Sequence, residues 1–122
     1  MLREPPLIAI VDDDEPVRRA LSRLLKASGF KVQASSSGRA FLDSLREAHP
    51  DCVVLDLQMP DLNGVDVLKE LRSRGLHLPV IIITAYDEPS VRANCLAAGA
   101  SGYLSKPIDE AVLRRAIADA MK

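Results

Sequence analysis

Tryptophan is absent from this chain, and only four aromatic side chains occur in its 122 residues: Phe30, Phe41, Tyr86 and Tyr103. Neither sign of charge dominates, since 16 Lys and Arg face 17 Asp and Glu for a formal net charge of -1. A surface that grips nucleic acid needs clustered cations and stacking rings, so direct nucleic-acid binding by this domain is not expected. Long apolar runs are missing too. Stretches such as "LIAIV" and "VIII" fall far short of the roughly 18 residues that span a bilayer, and no membrane segment is expected. The first of them is followed by "DDDE" rather than by small residues, which argues against a cleaved secretory signal and leaves a cytoplasmic location as the expectation.

Cysteine is scarce, and Cys52 and Cys95 show no C-x-x-C spacing and no neighbouring His pair. Each lies within an apolar pattern, as buried thiols do. His49, ahead of Pro50, and His77, in "RGLHLP", stand where helices should end, as polar surface or terminal caps rather than catalytic groups.

What is present is enough for one core. A chain of this length that is 48% hydrophobic fits a single globular domain. Five short apolar or β-branched runs recur: "LIAIV" at 7–11, "KVQAS" at 31–35, "CVVLD" at 52–56, "VIIIT" at 80–84 and "GYLS" at 102–105. Between them the apolar residues follow a helical period. Val17, Ala20, Leu21, Leu24 and Leu25 are opened by Pro16 and closed by Gly29. Phe41, Leu45 and Ala48 precede Pro50; Val65, Leu68 and Leu71 precede Gly75; Val91, Cys95 and Ala98 precede Gly99, with Pro89 near the start. The last set, Val112, Leu113, Ala116, Ile117 and Ala120, follows Asp109 as its N-cap.

Strand and helix thus alternate five times. The first, third and fourth runs are apolar without alternation, as parallel strands covered on both faces are. Five units are too few for an eight-stranded barrel, so the fold class is α/β: an open, doubly wound, five-stranded parallel sheet of the flavodoxin-like kind with five helices on both faces. The second strand, carrying serines, reads as an edge.

In such sheets ligands sit beyond the carboxyl ends of the strands, where strand order reverses. The first strand is followed by Asp12, Asp13 and Asp14, the third ends at Asp56, the fourth at Thr84, and the fifth leads to Lys106 and Pro107. Two carboxylates at about 4 Å repel by roughly 4 kcal/mol at an effective dielectric near 20, so converging acids need a counter-charge. An oxygen-only ligand set without imidazole or thiolate selects a hard cation such as Mg2+, whose usual companions are phosphate oxygens. Asp56 is then a candidate nucleophile forming an aspartyl phosphate. Thr84 offers a hydrogen-bond donor and Lys106 a point charge for the phosphoryl oxygens. Singly each has an ordinary reading: helix cap, strand residue, solvated charge, turn acid. Acid, acid, hydroxyl and lysine at four strand ends in that order are hard to obtain by accident.

The stretches "VDDDEPVRRAL", "VLDLQMPDLNG", "VIIITA" and "AAGASGYLSKP" together resemble the receiver domain of two-component response regulators over essentially the whole chain. The resemblance implies strand order 2-1-3-4-5, Asp56 as phosphoacceptor, Asp13 as a direct Mg2+ ligand, Asp12 in the acid pocket acting through water, and the backbone carbonyl of Gln58 as the third protein ligand. It makes Asp14 a spare acid that caps the helix, Thr84 and Tyr103 the switch pair, Lys106 the phosphoryl contact, and the Lys106–Pro107 bond cis. Gln58 and Tyr86 are implied to govern phosphate lifetime, and the Tyr86 ring is expected, on the ground that excluding water slows hydrolysis, to shield the acyl phosphate. Tyr103 is expected to turn inward on phosphorylation.

A histidine kinase is the implied phosphodonor, and a homodimer through the fourth helix and fifth strand the implied consequence. Residues 1–122 read as one receiver domain, closest to those of LuxR-type helix-turn-helix regulators. The expectation is an excised receiver whose effector domain lies outside this chain, or alternatively a stand-alone member of a phosphorelay. The domain is expected to catalyse only its own phosphorylation and dephosphorylation. A haloacid-dehalogenase-type phosphatase would need a second acid where Gln58 stands, and a flavodoxin-like cofactor binder would not place "DDDEP" where it must hold phosphate.

Overall fold

A computed structural model describes residues 4–122. Along them run β1 (Leu7–Val11), α1 (Glu15–Ala27), β2 (Lys31–Ser35), α2 (Gly38–Ser44), β3 (Cys52–Asp56), α3 (Gly64–Ser73), β4 (Val80–Thr84), α4 (Pro89–Ala97), β5 (Gly102–Ser105) and α5 (Glu110–Ala120). The strands pair in parallel in the order β2-β1-β3-β4-β5. Strand positions and sheet order are those expected from the sequence.

Successive residues of a strand face opposite sides of the sheet. Ala9 and Val11 of β1, with Leu55 and Ile82 of the neighbouring strands, join Phe41, Leu42, Val67, Leu68, Leu71 and Cys95 on the side of α2, α3 and α4. Ile8 and Ile10, with Val54, Ile81 and Ile83, meet Leu21, Leu25, Leu113 and Ile117 of α1 and α5 on the other. Because both faces are covered, β3 and β4 are buried at every position and apolar up to their last residues, Asp56 and Thr84. Each Ile or Leu so buried contributes about 1.5–3 kcal/mol, which fixes the strand registers. At the edge, β2 leaves Lys31 and Ala34 exposed.

Helix ends follow local chemistry. Asp14 Oδ1 accepts the Val17 N–H at 3.2 Å and starts α1, and Gly29, at φ +94°, lets the chain reverse after it. Asn63 and Asp66 form a reciprocal capping box on α3, and Asp109 caps α5. One helix is shorter than its apolar spacing predicts. The stripe Phe41, Leu45, Ala48 suggests that α2 runs toward Pro50, yet it ends at Ser44 and leaves Ala48 exposed. The Ser44 hydroxyl donates to the Phe41 carbonyl at 2.6 Å, and the next amides, of Leu45, Arg46 and Glu47, bond three residues back rather than four. The final turn is tightened and the helix stops.

Both thiols are fully buried, as expected, and burial pushes Cys52 up to about 12, out of reach of thiolate chemistry. His49 and His77 are exposed. Among the described residues no helix is long and apolar enough to cross a membrane.

Candidate functional site

β2 and β3 flank β1, so strand order reverses beside it, and the carboxyl ends there are where such sheets gather ligands. Val11 pairs with Leu55 across that boundary, and Asp12 and Asp56, one residue further on, stand side by side. Asp56 pairs with Ile83, and Thr84 with Ser105, which carries Thr84 and Lys106 to the same rim. Backbone bonds continue the ladder past the strand ends: Leu57 N–H to Ile83 O at 2.9 Å and Lys106 N–H to Thr84 O at 2.7 Å.

Asp12 is fully buried, Asp56 nearly so, and Asp13 exposed. One carboxylate oxygen from each lies within 4.8 Å of the others. Asp12 Oδ1 accepts the Asp14 N–H at 2.9 Å, and the Arg18 guanidinium donates to the Asp12 carbonyl at 2.8 Å. Asp12 Oδ2 is buried and accepts no hydrogen bond in good geometry. Its charged neighbour is the Lys106 ammonium, 3.0 Å away, which also stands 3.3 Å from Asp56 Oδ1. The Gln58 N–H reaches Asp56 Oδ1 at 3.4 Å, a long contact. Asp14 points elsewhere, onto the first turn of α1.

Burial, followed by repulsion from Asp12, raises Asp56 from 3.8 to about 6, and Lys106 only partly offsets this. Burial alone would lower Lys106, but the Asp12 contact and the charge of Asp56 outweigh it, and the ammonium stands above its ordinary value. Two buried carboxylates thus share one cation, and a third acid lies beside them. A set of converging carboxylate oxygens, with two buried acids sharing one ammonium and a third acid open to water, fits a hard divalent cation, which Asp12, Asp13 and Asp56 could hold.

The loop after β3 closes over the acids because of two features. Leu57 and Met59 are buried in the core, and Gly64 comes so close to the chain that a Cβ there would lie 2.8 Å from the Asp56 carbonyl oxygen and 2.9 Å from Leu57 Cα. Only glycine allows that approach, and it brings the Gly64 N–H to the Leu57 carbonyl at 2.8 Å.

Lys106–Pro107 is cis, as expected. Thr84 is fully buried, and its Oγ1 accepts the Tyr86 N–H at 3.0 Å. The Tyr86 ring is 65% exposed. Tyr103, expected to turn inward with phosphorylation, already lies inward and is 6% exposed. All four strand-end residues singled out in the sequence, Asp12, Asp56, Thr84 and Lys106, therefore meet at one rim. Arg18 and Gly64 also serve the site, though the strand-end pattern does not point to them. Gly64 carried a signal, the "NG" step after an acidic loop; Arg18 carried none, since its bond depends on how α1 leaves the strand.

Residues 8–118 match the family model described as the response regulator receiver domain. The chain belongs to that family. It is 46% identical over 103 residues to the response regulator MprA of Mycolicibacterium vanbaalenii, a match that covers 84% of this chain and 45% of that protein. It is 36% identical over 110 residues to the transcriptional regulatory protein FixJ of Azorhizobium caulinodans, covering 90% of this chain and 52% of that one. The chain thus spans about half the length of these curated relatives. Its backbone superposes on the crystal structure of FixJ-N with a TM-score of 0.90 at 34% identity, over 98% of this chain and 95% of that one. A DNA-binding response regulator of the LuxR family from Staphylococcus aureus is similar at a TM-score of 0.88 and 27% identity, covering 96% and 99%.

Proposed function

We propose that this receiver takes a phosphoryl group from a histidine kinase onto Asp56 and uses it as a reversible signal. The observation that carries this reading is the convergence of Asp12, Asp13 and Asp56 beside a single ammonium, Lys106. With a pKa of about 6, Asp56 is mostly ionised at neutral pH and available as a nucleophile. One of its oxygens attacks the phosphorus of a phosphohistidine; the O–P bond forms as the P–N bond breaks, and that bond pair leaves on the imidazole nitrogen. Asp13, Asp56 and the Gln58 carbonyl are the proposed ligands of Mg2+, with Asp12 reaching it through water. When bound, the ion neutralises charge that builds on the phosphoryl oxygens. Lys106 pairs with a phosphoryl oxygen, and Thr84 turns its hydroxyl from the Tyr86 carbonyl, a long 3.4 Å contact, to donate to another.

The signal then leaves through the face made by α4, β5 and α5, with Tyr103 as the second switch residue and a homodimer through α4 and β5 as one consequence. The printed names of the relatives, a transcriptional regulatory protein and a DNA-binding response regulator, support transcription as the output. Gln58 and Tyr86 flank the path of the water that later hydrolyses the acyl phosphate, and the receiver catalyses no other turnover.

Mass spectrometry after acetyl phosphate, with and without Mg2+, tests the proposal. One added phosphoryl group on Asp56, dependent on Mg2+ and lost in Asp56→Asn, is the expected result, with Asp13→Ala needing at least about tenfold more Mg2+ for the same labelling. Full labelling of Asp56→Asn would show that another residue accepts the phosphate.

A further inference from the structure

Ser105, the last residue of β5, donates its hydroxyl to Asp87 Oδ2 at 2.8 Å and so ties the strand that delivers Lys106 to the loop that follows Thr84. Neither residue belongs to the acid pocket. Beneath that loop lies Tyr103, whose phenol oxygen is buried, makes no hydrogen bond of good geometry, and faces the Asp87 carboxylate and the Glu88 backbone. Above its ring, 5.6 Å from the centroid, sits the Arg92 guanidinium of α4.

The Tyr103 ring gains by packing in the core, but its phenol oxygen gives up water without a well-formed hydrogen bond in return. Turned outward that oxygen would be hydrated, so the inward position depends also on the groups that cover the ring. Two things do. Arg92 caps the ring by a cation–π contact, and the 85–88 loop is fastened on the solvent side by the Asp87–Ser105 bond. Burial, and after it the charge of Asp87, raise the Tyr103 pKa, which agrees with an acid group close above the phenol.

We infer that Asp87 and Ser105, with Arg92, are positioning residues: a latch that keeps Tyr103 inward before any phosphate arrives and so presets the α4, β5 and α5 face. The inference rests on the reading of Thr84 and Tyr103 as the switch pair. It assigns to the loop a control that Asp56 does not exert. With the latch shut, phosphorylation has little inward movement left to cause. With it open, Tyr103 depends on Thr84 and the phosphoryl group to be drawn in.

The absence of tryptophan makes the test direct. In Tyr86→Phe, Tyr103 is the sole tyrosine, and acrylamide quenching of its emission reads its exposure in unphosphorylated protein. The converse variant, Tyr103→Phe, retains only the exposed Tyr86 and sets the upper limit. In the Tyr86→Phe background, Ser105→Ala, Asp87→Ala and Arg92→Ala should each raise quenching severalfold toward that limit, while Ser105→Thr, which keeps the hydroxyl, should stay protected. Unchanged protection in both Ser105→Ala and Asp87→Ala would overturn the latch. So would a rise that Ser105→Thr fails to prevent, since general loosening would then be the cause. Phosphoryl labelling of Asp56, measured on the same samples, is a separate readout: its absence defeats the phosphoacceptor proposal and leaves the quenching result standing.

Discussion

The Lys106 ammonium lies closer to Asp12 than to Asp56, 3.0 Å against 3.3 Å. The lysine is thus engaged by a wholly buried acid before any ligand arrives, and it holds together two carboxylates that would otherwise repel. Lys106→Ala leaves both without a counter-ion. Breaking a buried pair from one side costs about 3 kcal/mol, so this variant should unfold at clearly lower urea concentration in the absence of divalent ions. Added Mg2+ should restore much of the loss. An unchanged unfolding midpoint would mean that the pair contributes nothing to the metal-free fold.

Asp56 also makes stability depend on pH. Its folded pKa, about 6, lies above the ordinary 3.8, so between those values the folded state binds a proton that the unfolded state has lost. Stability from this group is present below pH 3.8 and disappears as pH rises through about 6, with a total on the order of 3 kcal/mol. In a chelating buffer, Asp56→Asn should therefore be more stable than the parent at neutral pH and closer to it under acid conditions. Urea midpoints for both proteins across this window check the slope; parallel curves would contradict the shift.

At Gly64 the obstacle to a side chain is backbone on both sides. Gly64→Ala should push the loop after β3 off Asp56, destabilise the protein by about 1–3 kcal/mol and slow acetyl phosphate labelling. The two effects are separable by labelling at low temperature, where the variant remains folded. Labelling at the parent's rate would show that the loop tolerates the shift.

Tyr86 is anchored by its backbone to Thr84 while its ring is free in solvent. A ring hinged beside the rim can cover the acyl phosphate, and Tyr86→Ala should speed loss of label from Asp56 severalfold by admitting water. Decay of the labelled protein after removal of acetyl phosphate measures this, and equal decay rates would leave the ring without a role.

Much of this was legible because the sheet is covered on both sides. Continuous runs such as "CVVLD" and "VIIIT" can satisfy two apolar faces only as central strands, and the rule that ligands gather beyond their carboxyl ends then singles out Asp56 and Thr84. The end of α2 was not legible, since apolar spacing cannot register the Ser44 hydroxyl donating to the Phe41 carbonyl. Nor was the inward Tyr103: its cover comes from Arg92 and from a bond between Asp87 and Ser105, which only the register of β4 against β5 brings together. Spacing along a chain predicts faces and strand ends. It is silent on partners joined across loops.

The three consecutive acids after β1 differ in every respect but their chemistry. Asp12 is interred, Asp13 is open to water, and Asp14 begins a helix. Their tasks are assigned by phase alone, so deleting one residue from Leu7–Val11 would leave composition and charge almost untouched while moving each acid into its neighbour's seat. A segment this sensitive to slippage can change by substitution, but hardly by insertion or loss.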